Sequence, residues 1–170
     1  MHRCCGLPGA HIFEDILGMQ ERARHCVQHG KVCRIPSGDS GPHLVHVGFS
    51  CKDLSKLKGL GPQAQRDMLV NAVGSTGETA LGLLRLLRTK SPPMIMLENV
   101  TGLVTADNGA LWRWLRGEIE AAGYVADYRI LQSSDYGVPQ QRKRFFGVCL
   151  NARCLNLKRP AALALVSEAV

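Results

Sequence analysis

No stretch of this 170-residue chain approaches the roughly 20 uninterrupted apolar residues that a membrane helix requires. Residues 1–10 carry one Arg and one His with no apolar run behind them, so they do not read as a secretory signal. The chain is therefore expected to be intracellular and away from membranes. Also missing are an internal repeat, a low-complexity tract and any acidic excess. Against 14 Asp and Glu stand 21 Lys and Arg, a net charge of +7. That sign favours acidic partners, of which nucleic acid is the commonest, although many basic proteins bind nothing charged. Without an export signal a disulfide framework is not expected. The seven cysteines are odd in number and cannot all pair within the chain. Free thiols, metal ligands or a nucleophile remain as readings.

What is present suits a soluble globular domain: 45% hydrophobic and 21% charged residues, in a chain long enough to bury a core. Residues 43–49 form a short apolar run that reads as a buried strand. Residues 57–61 read as a basic, glycine-containing loop. From 76 to 88, Leu81, Leu84 and Leu87 recur at helical spacing, and Lys90, Pro92 and Pro93 end the segment. Residues 94–97 are a second apolar run. Over 109–122 a helix is expected, with Leu111, Trp114, Leu115 and Ile119 on one face and Gly123 at its end. Trp112 and Trp114 lie two apart, so at most one packs inward. Residues 124–131 favour a strand, 133–143 a loop, and 144–150 a third apolar run. Residues 30–42, with three Gly, two Pro and two Ser, read as a surface loop or insertion. Strands alternating with helices predict an α/β layered fold with a largely parallel sheet, whose ligands bind at the carboxyl ends of the strands.

Three segments fall where such a sheet places its chemistry. The first is Gly48-Phe49-Ser50-Cys51-Lys52-Asp53-Leu54-Ser55. A cysteine at a strand-to-loop junction can be exposed, and Lys52, Lys56 and Lys58 favour its thiolate. Taken alone, such a cysteine is equally a packing residue. The second is Leu97-Glu98-Asn99-Val100. A carboxylate directly after an apolar strand is poorly solvated, which suits a group that shares a proton with a ring nitrogen. It also suits an acid facing a helix dipole. The third, Tyr136-Gly137-Val138-Pro139-Gln140-Gln141-Arg142-Lys143-Arg144, could clamp a phosphate or a base carbonyl, or be a solvated basic loop.

In their joint order these segments resemble the cytosine-C5 methyltransferase family. There a Pro-Cys-Gln loop, a Glu-Asn-Val strand end and a Gln-x-Arg-x-Arg segment follow one another. The resemblance covers roughly residues 43–150, and it implies a Rossmann-like, S-adenosylmethionine-dependent sheet. It implies that Cys51 attacks C6 of a cytosine in DNA and that Glu98 holds and protonates N3. Asn99 positions the loop and the exocyclic amine, Arg144 binds the O2 edge, and Arg142 supports the loop. A base held in a duplex must be extruded to reach such a site. The departures are Ser50 in place of the usual Pro, which frees a fixed φ, and Lys52 in place of the usual Gln.

The family's glycine-rich turn and ribose-binding acid are not found. His11-Ile12-Phe13-Glu14-Asp15-Ile16 resembles a later segment near the adenine, making Asp15 and Ile16 candidate cofactor contacts. On that alignment the sheet is incomplete at both ends, and the chain reads as a truncated product, a degenerate copy or one part of a split enzyme, inactive in isolation. A second chain is expected to supply the missing cofactor and recognition segments. Residues 1–42 are then an N-terminal segment, 43–150 the catalytic core and 151–170 a C-terminal tail. Location is expected to be nuclear in a eukaryote and cytoplasmic otherwise. The competing classes are a catalytically dead module that binds DNA or a partner subunit, and a transfer-RNA cytosine methyltransferase. A metal-binding module on His25, Cys26, His29 and Cys33 is a third class, but four ligands within nine residues are too tightly packed to reach one ion easily. No metal site is assigned from the sequence. Cys149 and Cys154 read as core or surface thiols.

Overall fold

The computed structural model of the chain describes residues 10–37, 41–48 and 74–154. A 3-10 turn (Ile16–Gly18) precedes two short strands, β1 (Ala23–Cys26) and β2 (Lys31–Arg34). After them come β3 (Leu44–Gly48), helix α1 (Gly74–Lys90), β4 (Met94–Asn99) and the single turn α2 (Gly102–Thr105). Helix α3 (Ala110–Ala121), β5 (Tyr124–Gln132) and β6 (Lys143–Asn151) complete the described elements. The basic segment 57–61 and Cys51 lie outside the described residues.

Helix α1 stops where the sequence said it should. Lys90 is its last residue, Ser91 takes the left-handed conformation at φ 47°, and Pro92 and Pro93 then exclude further helix. Ser91 N–H still donates to Leu87 O at 3.2 Å, which closes the last turn. Helix α3 presents Leu111, Trp112, Leu115 and Ile119 to the core. The inward tryptophan is thus Trp112, 5% exposed, rather than the expected Trp114. At about 100° per residue, Trp112 falls beside Ile119 on the face that Leu111 and Leu115 define, whereas Trp114 falls outside it. Trp112 meets the rings of Tyr128 and Phe145 edge-on at 5.4 and 4.9 Å.

The main sheet has the order β3-β4-β6-β5. Among the described residues only β3 and β4 are parallel; β6 runs antiparallel to both β4 and β5. The α/β class stands, but the described strands do not form the largely parallel sheet that was expected. The difference lies in residues 133–142, which return the chain from β5 to β6 without a helix. Such a return suffices for an antiparallel neighbour, while a parallel one needs a crossover of a dozen or more residues. A second correction concerns residues 30–42, expected as a loop, which contain β2. Four-residue strands are too short for periodicity to register, and Gly30 at φ +62° makes the turn that pairs β2 with β1.

Alternation along β4 and β6 separates two faces. Ile95, Leu97, Phe145 and Cys149 point to Leu83, Leu84 and Leu87 of α1 and to the inner face of α3, forming one core. Full burial of each such side chain contributes about 1.5–3 kcal/mol. The opposite face carries Met96, Phe146 and Val148, all half-buried.

Candidate active site at the strand ends

Because β3 and β4 are parallel and β6 is antiparallel to β4, the carboxyl ends of β3 and β4 meet the amino end of β6 at one edge. The register pairs Gly48 with Glu98, and Glu98 with Phe146. Glu98 and Phe146 face the same side. Arg144, two residues before Phe146, projects there too. Its Nε comes within 3.3 Å of Glu98 Oε1, and each side chain is just under a third exposed. Gly48 lies close by, where an added Cβ would stand 3.7 Å from Glu98 Oε2. Gly48 precedes Cys51 by three residues; Cys51 itself is outside the described part of the chain.

The loop 133–142 walls this edge. Ser133 donates both its N–H and its hydroxyl to Arg142 O at 3.1 Å, and Val138 N–H reaches back to Ser133 O at 3.2 Å. Gly137, left-handed at φ +79°, ends the 3-10 turn Ser133–Tyr136. The Arg142 backbone therefore clasps the loop, while its side chain stays exposed. Glu98, Arg142, Arg144, Gln140, Ser133 and Phe146 line an open cleft of about 390 Å³. A neighbouring apolar cleft of about 240 Å³ lies on the open sheet face over Met96 and Val148. The first is the site candidate, since it combines a carboxylate, two guanidinium groups and an amide.

Asn99 is not in that cleft. It alternates to the other face of β4, is 2% exposed, and its Oδ1 accepts from Val100 N–H at 2.8 Å. The side chain shapes the turn leaving the strand. Ser133 carried no sequence signal, because its role depends on the backbone of Arg142 nine residues away.

These residues acquire a common meaning by comparison. The profile of the family described as C-5 cytosine-specific DNA methylase matches residues 35–162, about three quarters of the chain. The chain belongs to the C-5 cytosine-specific DNA methylase family. Among curated relatives, Type II methyltransferase M.MspI of Moraxella sp is 33% identical over 138 residues, covering 79% of this chain and 30% of that protein. M.BsuFI of Bacillus subtilis is 30% identical over 118 residues, 68% of this chain and 26% of the relative. M.BanI of Aneurinibacillus aneurinilyticus is 44% identical over 103 residues, 59% and 21% of the two chains. The chain thus spans less than a third of the length of these relatives. Among solved structures, the Dnmt2 methyltransferase of S. pombe is similar at a TM-score of 0.43, with 19% identity over 64% of this chain and 28% of that one.

A methyltransferase family implies S-adenosylmethionine as methyl donor in general. Asp15 and Ile16, the candidate contacts for it, have local structural partners among the described residues. The Asp15 carboxylate accepts from Leu17 N–H at 2.7 Å, capping the 3-10 turn. Ile16 packs on α1, where a Cβ at Gly82 would stand 2.7 Å from its Cγ2. Neither residue lines the Glu98 cleft.

The ligand set weighed from the sequence also changes. Cys26, His29 and Cys33 come together, joined by His11 rather than His25, with all four donor atoms within 4.8 Å of one another. The hairpin turn, not the spacing, decides this. Burial pushes the Cys26 thiol up, but the N–H groups of Ile12 and His29 and the His11 side chain outweigh it, and the net value falls to about 6. Burial and the neighbouring Cys26 push Cys33 up.

Proposed function

We propose that this chain carries the base-binding and nucleophilic part of a cytosine-C5 methyltransferase acting on DNA, with residues 43–150 as its catalytic core. Cys51 adds through sulfur to C6 of an extruded cytosine, and Glu98 delivers a proton to N3 as the addition proceeds. C5 becomes nucleophilic and takes the methyl group, which in this family comes from S-adenosylmethionine. Loss of the C5 proton to a base then expels Cys51 as thiolate, and return of the N3 proton to Glu98 restores the neutral ring. Arg144 holds O2, Arg142 keeps the loop closed, and Asn99 fixes the strand exit beside Glu98. The logic is covalent catalysis with charged groups placed where charge develops.

The observation that carries this reading is the Glu98–Arg144 pair at 3.3 Å on the rim of a polar cleft. A carboxyl and a guanidinium side by side match the N3 and O2 edge of cytosine. The second reading is a module that binds DNA or a partner subunit without catalysis. The net charge of +7 is compatible with it, since binding to phosphates needs no catalysis. A partner chain carrying the cofactor pocket is then part of the proposal. No helix among the described residues is long and apolar enough to cross a membrane; a nuclear site in a eukaryote or a cytoplasmic one otherwise is proposed.

One assay separates the two readings without cofactor. Reversible addition at C6 exchanges the C5 hydrogen of cytosine, read as tritium release from DNA labelled at C5. The enzyme reading expects release that Cys51→Ser abolishes and Glu98→Gln lowers by about 10²–10⁴-fold, the range for a lost proton donor. DNA binding with no release, equal in Cys51→Ser, would leave only the binding module.

A further inference from the structure

The N-terminal hairpin is poorly equipped to stand by itself. β1 and β2 have four residues each, and Val27 and Val32 are 50% and 68% exposed. Within residues 10–37 only Gly18, Cys26, Cys33 and Ile35 are buried, so two of the four are cysteines. A two-stranded hairpin is marginal in water, and units with so little core are held by a disulfide or a metal.

The donors around those thiols have the dimensions of a metal site. His29 Nδ1 lies 3.4 Å from Cys26 Sγ and 3.4 Å from Cys33 Sγ. Zinc bonds of about 2.3 Å to sulfur and about 2.0–2.1 Å to nitrogen, set tetrahedrally, place S and N about 3.5 Å apart. His11 closes the fourth position; its ring meets that of His29 edge-on, centroids 4.8 Å apart. The two cysteines are buried and the two histidines exposed, so the group sits at the surface of the hairpin.

The backbone is organised around the same point. Gly30 N–H donates to Cys26 O at 2.9 Å, folding the Cys-x-x-His turn back on itself. Ile12 N–H points at Cys26 Sγ from 3.4 Å, the kind of outer hydrogen bond that steadies a metal-bound thiolate. Val27 N–H bonds Ile12 O at 2.8 Å and so ties the His11 segment along the hairpin. Two cysteines and two histidines are a donor set that structural zinc commonly takes. Counting His25 as a ligand made the site look too tight; on the folded hairpin His25 is exposed and outside the group.

We propose that His11, Cys26, His29 and Cys33 bind one zinc ion in a closed, four-ligand structural site. The ion clasps the hairpin and the 3-10 turn that follows His11. That turn docks on α1 through Ile16 at Gly82, and Lys90 Nζ holds Glu21 O at 2.7 Å. All four positions are protein ligands, so the ion stabilises rather than catalyses.

The test is metal content of the full chain purified under reducing conditions. About one zinc per chain is expected by mass spectrometry, and cobalt substitution should produce intense tetrahedral visible bands with a thiolate charge-transfer band. Cys26→Ser and Cys33→Ser should lose the metal. His11→Ala, at an exposed position, should release it to a chelating dye far more readily. His25→Ala and Cys154→Ser should retain it. Four results would overturn the proposal: no stoichiometric metal, a cobalt spectrum without thiolate bands, metal loss in His25→Ala but not His11→Ala, or a Cys26–Cys33 disulfide in the reduced preparation. Should the cysteine variants fail to fold, the wild-type cobalt spectrum and the two histidine variants still decide. None of these readouts depends on methyl transfer.

Discussion

Glu98 and Arg144 form a partly solvated pair, and pairs of that kind contribute at most about 1 kcal/mol to stability. Arg144→Gln should therefore leave the unfolding midpoint within about 1 kcal/mol of wild type while reducing tritium release sharply. Equal losses in both measurements would make the pair structural. Tyr124 behaves differently: its hydroxyl donates to Pro92 O at 2.8 Å in the core, and burial pushes its pKa up to about 12. A raised folded value means the stability it contributes is complete below pH ~10 and drains away as pH rises through about 12. Tyr124→Phe should cost about 1 kcal/mol at neutral pH and flatten that alkaline loss, as read by denaturant melts across pH. Burial likewise pushes the Cys149 thiol to about 12. In the native chain Cys149 should resist a thiol reagent that labels exposed Cys154, and peptide mapping would show which was modified.

Among the elements, α1 carries two testable joints. Ser91 sits left-handed after its last turn, a conformation that costs an ordinary residue about 1–2 kcal/mol and glycine little. Ser91→Gly should raise stability by roughly 0.5–1 kcal/mol after the entropy that glycine adds to the unfolded chain. An unchanged midpoint would show that the Ser91 hydroxyl bond to Leu87 O offsets the strain. On the outer side, Gly82→Ala drives a methyl into Ile16 and should cost about 1–3 kcal/mol, loosening residues 10–37 first in hydrogen exchange. Helices α1 and α3 and the four described strands of the main sheet were legible in the sequence to within two residues at each end, because long periodic runs and proline stops are local. β1 and β2 were not, since their pairing rests on one glycine turn and few residues. The choice of Trp112 over Trp114 lies in helix geometry, since Trp112 falls beside Ile119 on the buried face.

For the whole molecule, a charge of +7 gives the DNA reading a quantitative form. If about five phosphates are engaged, raising salt from 50 to 200 mM should weaken DNA binding roughly 10²–10³-fold. A salt-independent affinity would point away from the phosphate backbone. The chemistry of the active edge was visible as three ordered motifs, because Glu98, Asn99, Arg142 and Arg144 are short-range patterns that need no partner to be recognised. Those motifs and the periodicity determined the family and the α/β class, and named the residues proposed to bind the base. Tertiary structure alone decided that β6 enters antiparallel between β4 and β5, which sets Arg144 beside Glu98 and sends Asn99 to the opposite face. It also decided that Asp15 caps the 3-10 turn, and that His11 joins Cys26, His29 and Cys33. Each of these depends on which segments lie side by side, and local sequence carries no term for contacts made across 15 or 46 residues of chain.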